Sequence, residues 1–136
     1  MDKIFNITSI ITGIAGGIIA SLFGAWNTLL WALIIIMVLD YASGLIKAVY
    51  TGTMSSKIGF KGLLKKVTIL VIVALANVVQ QLTGDNVAIR EIVIVFYIAN
   101  EGISVLENAA VVLPNMPDRL KDILLQLRGD NNDSNR

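Results

Sequence analysis

The chain has 136 residues, 55% hydrophobic and only 15% charged, with a formal net charge of +1 and a mean hydropathy of +0.74. Soluble domains carry about 25% charged residues, so this composition points to an integral membrane protein, and the near-zero net charge supplies no basic field for nucleic acid. The absence of Cys and His excludes disulfides, thiolate chemistry, His-based triads and the usual zinc sites.

No charged residue occurs between Ile4 and Leu39. One helix of that length would measure about 54 Å, against a hydrocarbon core of about 30 Å. The run therefore reads as two spans, or as one span and an interfacial segment, broken at Gly24-Ala25-Trp26-Asn27. The first segment, 4–23, is rich in small residues. Gly13 and Gly17 form a GxxxG pair, and Ala20 and Gly24 extend that face, which suits close helix packing either within a bundle or between copies. A cleaved signal peptide fits less well: a single Lys precedes the run, and the run is longer than about 15 residues.

The second segment, 28–50, is strongly apolar until Asp40. Ser43, Gly44 and Lys47 follow on the Asp40 face. Lys47 can snorkel to the interface, whereas Asp40, about 10 Å deeper, needs a partner, a proton or water. Thr51 to Gly62 is polar and glycine-containing and reads as a flexible loop, with or without a short interfacial turn. The third segment, 63–82, opens on Lys65 and Lys66; together with Lys57 and Lys61 these set topology and touch anionic lipid. Thr83-Gly84-Asp85-Asn86 reads as a tight turn.

The fourth segment, 87–113, carries the strongest anomaly. Tyr97, Glu101, Ser104 and Asn108 share one helical stripe, with Asn100 and Glu107 on its shoulders. A charged residue in mid-span costs roughly 2.5–3.5 kcal/mol on insertion scales. The stripe must therefore face another helix, another copy or water, with Lys47 a candidate partner. Arg90-Glu91 reads as an interfacial anchor or local salt bridge. Pro114 and Pro117 stop the helix. Asp118 to Arg128 then reads as an amphipathic helix, on the membrane surface or against another copy, ended by Gly129. Residues 130–136 are polar and read as disordered.

Cationic residues cluster at Lys3, in the middle connection and in the tail. With four spans the positive-inside rule places both termini and the middle connection in the cytoplasm; with three, the middle connection and the C-terminus stay there, and the first segment is interfacial or the N-terminus lies outside. The expected fold is an all-α integral membrane protein with four transmembrane helices, or three if the first segment is interfacial, plus a short C-terminal amphipathic helix. Residues 1–113 form the membrane domain and 114–136 a cytoplasmic helix and tail. Catalytic, metal and cofactor sites are none: no activated nucleophile or ligand set is visible.

Leu39-Asp40-Tyr41 with Gly44 and Ala48, Gly52 with Ser55-Ser56, Lys61-Gly62-Leu63 with Lys65, the run from Phe96 to Asn108, and Pro117 with a Leu-rich tail together resemble the toxin-secretion/phage-lysis holin family. The similarity covers roughly Leu39 to Leu127. It implies a small phage- or prophage-encoded protein of the bacterial cytoplasmic membrane that forms homo-oligomers in lipid. Such proteins open lesions through which an endolysin, or in toxin loci a toxin, crosses. The residues themselves nominate Asp40, Lys47, Tyr97, Asn100, Glu101, Ser104, Glu107 and Asn108 as a polar pore or oligomer face, and Gly13, Gly17, Ala20 and Gly24 as a packing face. Two rival readings stay open: a small ion or proton channel or transporter subunit using the intramembrane carboxylates, and a membrane scaffold that passes nothing.

Overall fold

The computed structural model describes residues 1–84 and 86–129. It contains α1 (Asp2–Phe23), α2 (Thr28–Thr51), α3 (Ser56–Leu82), α4 (Ile89–Val112) and α5 (Asp118–Arg128), with no strand among the described residues. The chain is thus an all-α membrane protein: α1, α2 and α3 are each long and apolar enough to cross a bilayer. α4 carries charge at mid-length, at Glu101 and Glu107, as well as Arg90 and Glu91 at its start. Asp85 of the expected tight turn and the tail 130–136, expected to be disordered, lie outside the described residues.

The first break falls where the sequence places it. α1 ends at Phe23, Gly24 turns the chain at φ 77°, and Asn27 caps α2 by accepting the Leu30 amide at 3.1 Å. The next connection is much shorter than expected. Gly52 ends α2 in the left-handed region at φ 69°, and Ser55 already caps α3 by accepting the Ile58 amide at 3.2 Å. Residues 56–62 are therefore helix rather than loop. Gly59 and Gly62 are tolerated there because Tyr41 of α2 packs over them. A Cβ at Gly59 would lie 3.3 Å from the Tyr41 hydroxyl, and one at Gly62 would lie 3.7 Å from its ring.

The core is formed by Leu30, Leu33 and Met37 of α2, Ile69 and Val73 of α3, and Ile94 of α4. α2 and α4 make the broadest contact, while α2 and α3 touch least, so α3 leans on α4 and leaves an opening beside α2. The outward faces are apolar: Trp31, Ile35 and Val38 on α2, and Val67, Val71 and Leu75 on α3, are all exposed. So extensive an apolar surface suits lipid and not water. In that solvent the core side chains gain little from leaving it, and van der Waals fit and buried polar contacts hold the helices together.

α5 packs back on α4 of its own chain, a partner the sequence reading did not weigh beside the membrane surface and another copy. Leu124 sits against buried Gly102, where a Cβ would come within 3.1 Å of its side chain. α1 buries no residue, and its end meets the bundle through Phe23, which packs against the core.

Candidate functional site

The opening between α2 and α3 is a cleft of about 650 Å³, and its floor is the polar stripe of α4. Tyr97, Asn100, Glu101, Ser104 and Asn108 all line it, as do Asp40 from α2 and Lys66 from α3. The stripe therefore has neighbouring helices on its sides and open space above it.

The charged centre joins three helices. The Lys66 ammonium donates to Asp40 Oδ2 and to Glu101 Oε2. All three side chains are largely shielded, with relative exposures of 14% for Lys66, 11% for Asp40 and 7% for Glu101. A single cation between two carboxylates removes most of the cost of holding either charge in a poorly solvated site, and leaves the cluster one negative charge in excess if both are ionised. Asn108 completes the Asp40 side. Its Nδ2 lies 3.1 Å from Asp40 Oδ1, 3.4 Å from the Asp40 carbonyl and 3.1 Å from Ser43 Oγ, and the Ser43 hydroxyl donates to that same carbonyl at 3.0 Å. Among the described residues no group of three ligating side chains is placed to hold a metal ion.

Asp40, Ser43, Glu101 and Asn108 are thus brought together as the stripe suggested, but around a different cation. Lys47 is exposed and forms no ion pair among the described residues, and Glu107 is exposed and does not line the cleft. Lys66 takes the place assigned to Lys47. Its signal was present in the sequence: Lys66, Ile69, Val73 and Asn77 recur at helical spacing, and the last three are buried.

A second polar centre lies at the other end of the bundle, where Arg90 is only 3% exposed. Its Nε donates to the Phe23 carbonyl, its Nη2 to the Ala25 carbonyl at 2.8 Å and its Nη1 to Glu91 Oε1 at 3.2 Å. Asn77 Nδ2 adds donors to the Ser21 and Leu22 carbonyls at 3.3 and 3.0 Å. These side chains satisfy the free carbonyls at the end of α1 and fasten it to the bundle. Arg90 does pair with Glu91, as the local salt-bridge reading has it, but the guanidinium is buried and also meets backbone carbonyls. Gly24 is also relocated, from the packing face into this turn, where a Cβ would meet Asn77 Oδ1 at 2.8 Å and Arg90 Nε at 3.1 Å. Among the described residues, a Cβ at Gly13 or Gly17 would meet nothing within 4 Å beyond the surrounding backbone of α1, and exposed Ala20 lies on the same bare helix.

A family model described as the bacteriophage holin family matches residues 17–129, from within α1 through α5. An uncharacterized protein of Listeria monocytogenes is 43% identical over 110 residues, covering 81% of this chain and 79% of its own. An uncharacterized 14.9 kDa protein in the nagH 3′ region of Clostridium perfringens is 38% identical over 113 residues, covering 82% and 86% respectively. A probable holin of Bacillus phage phi105 is 28% identical over 99 residues, 73% of each chain. No solved structure matches the chain.

Proposed function

The chain belongs to the bacteriophage holin family, and we propose that it permeabilises the bacterial cytoplasmic membrane by assembling many copies into lesions. An endolysin, or a toxin where one is encoded alongside, crosses through them. A bundle of this size encloses no channel for a folded enzyme, so passage needs an assembly whose wall includes polar surface. The observation that carries the reading is the α4 stripe: it is polar and lines a cleft, yet its Glu101 is paired inside one chain with Lys66. In the dispersed protein the Asp40–Lys66–Glu101 centre holds α2, α3 and α4 closed. In the lesion the same groups exchange that pairing for water, and the helices re-pack with polar faces inward. Family membership supports a non-enzymatic role.

The proposed topology has α1 to α4 crossing the membrane, with both termini and the α2–α3 connection in the cytoplasm, in accord with the lysines near that connection. Residues 114–136 then lie on the cytoplasmic side. The bare face of Gly13, Gly17 and Ala20 on α1 is the proposed surface for self-association, because no other part of the chain among the described residues covers the two glycines.

The test is inducible expression beside a cytoplasmic endolysin, comparing the native chain with Asp40→Asn, Glu101→Gln and Lys66→Met. The native chain is expected to release the enzyme abruptly, and the variants to shift the time of release. If every variant inserts at the native level and lyses on the native schedule, the charged centre has no part in lesion formation. The rival, an ion or proton channel or transporter subunit, draws on the same buried carboxylates. It predicts loss of membrane potential with the endolysin retained inside the cell.

A further inference from the structure

Three lysines line the cleft between α2 and α3: Lys61, Lys65 and Lys66. Only Lys66 is engaged by carboxylates; Lys61 and Lys65 form no ion pair among the described residues and stand at the exposed edge. The cleft thus holds three cations against two carboxylates, and both carboxylates already face Lys66. An anion entering at the Lys61–Lys65 edge meets uncompensated positive charge.

The same edge continues along α3 as an amphiphilic track. Lys57, Lys61, Leu64, Thr68, Val71 and Leu75 recur at alternating spacings of four and three, which puts them on one side of the helix. All six are exposed. The track is cationic at its first two positions and mainly apolar beyond, and Lys61, Leu64 and Thr68 also line the cleft. The step from Lys61 to Leu75 spans about 21 Å of helix at 1.5 Å per residue, enough to accompany an acyl chain from its headgroup inward.

From this order of charge and apolar surface we infer that the cleft edge is a binding site for an anionic phospholipid. The phosphate lies between Lys61 and Lys65, and the chains run along Leu64, Val71 and Leu75. The occupant is a lipid rather than free phosphate, because the apolar half of the track would otherwise have no ligand to cover. The site does not depend on lesion formation and holds whether the protein passes an enzyme, an ion or nothing.

The experiment uses the full chain with Trp26→Phe, Trp31→Phe and Leu64→Trp, so that the sole tryptophan sits on the track. It is reconstituted with brominated phosphatidylglycerol or brominated phosphatidylcholine, and fluorescence quenching is followed against lipid fraction. The expected result is half-maximal quenching at a lower fraction of phosphatidylglycerol than of phosphatidylcholine. Lys61→Gln and Lys65→Gln are each expected to reduce that preference about fivefold, which corresponds to about 1 kcal/mol per basic residue at an anionic surface. Lys3→Gln with Lys47→Gln is expected to leave it unchanged. Equal quenching by the two lipids overturns the proposal. So does an equal loss of preference from the Lys3 and Lys47 changes, which would mean a diffuse surface field rather than a site. Competition by inorganic phosphate in place of lipid would overturn the assignment to a lipid. Helicity and insertion, measured in parallel, confirm that each variant is folded.

Discussion

Lys66 on α3 and Glu101 on α4 form an ion pair between helices whose paired residues are 35 positions apart in the chain, and the same ammonium reaches Asp40 on α2. Removing the cation leaves two shielded carboxylates facing each other. Breaking one partner of a buried ionic cluster typically costs about 3–5 kcal/mol, whereas replacing the whole cluster with neutral groups is often far less costly. Lys66→Met is therefore expected to lower the thermal unfolding midpoint in detergent strongly. Lys66→Met combined with Asp40→Asn and Glu101→Gln is expected to recover most of that loss. Equal instability of the single and triple variants would show that Lys66 acts through packing of its stem and not through charge.

The far end of the bundle should respond differently. Arg90 satisfies the Phe23 and Ala25 carbonyls with a fixed planar fork of donors, a geometry that a lysine ammonium does not reproduce. Each hydrogen bond to a charged group is worth about 1.5–3 kcal/mol. Arg90→Lys is expected to recover only part of what Arg90→Met loses. The change should appear first as faster amide exchange at the end of α1 and in residues 24–27, with the α2–α4 core still protected. Uniform exchange over the whole chain would instead mean that the Arg90 contacts stabilise the bundle globally.

The contrast between these two centres explains what could be read from the sequence. Local chemistry was legible. Gly24-Ala25-Trp26-Asn27 as a break, Pro114 and Pro117 as a stop and Gly129 as an end all act within a turn or two, and α5 begins and ends where the prolines and Gly129 place it. The α4 stripe was legible as a face, because helical period alone groups its residues. Its cation was not, because Lys66 adjoins Lys65 in a cluster that serves topology equally well, and the choice between Lys47 and Lys66 depends on how three helices lean together. Beyond its pairing with Glu91, what Arg90 holds was not legible for the same reason: the further acceptors are backbone carbonyls more than 60 residues earlier, and carbonyls leave no mark in a sequence. The length of α3 was underestimated because Gly59 and Gly62 look like loop residues until Tyr41 is seen against them.

The docking of α5 rests on a close approach that can be tested by adding volume. A Cβ at Gly102 would lie 3.1 and 3.2 Å from the two methyl carbons of Leu124. Gly102→Ala requires that flexible side chain to yield by a few tenths of an ångström and is expected to be mild. Gly102→Leu has no such room, and overpacking of this kind costs about 1–3 kcal/mol. The larger variant is expected to release α5 and to speed tryptic cleavage after Lys121. Adding Leu124→Ala should restore protection. Unchanged cleavage in Gly102→Leu would mean that α5 is held by contacts other than this one.

α1 gives the clearest separation between folding and assembly. Among the described residues, Gly13 and Gly17 have no atom of the chain's other parts within 4 Å of where a side chain would start, so Gly13→Leu and Gly17→Leu are expected to introduce no clash within one copy. In a helix interior the change even removes the conformational penalty of glycine, about 1 kcal/mol relative to alanine. Both variants are expected to insert and to unfold at the native temperature or slightly above it. If copies meet through this face, bulky residues there separate the backbones and abolish the close approach that small residues permit. Because the native chain contains no Cys, a single Ser9→Cys change provides a clean cross-linking probe. Disulfide-linked dimers are expected in the Gly13, Gly17 background and should fall sharply in either Leu variant, with lysis delayed in parallel. Undiminished cross-linking in both would remove α1 from the assembly surface and leave self-association to the α2–α4 bundle.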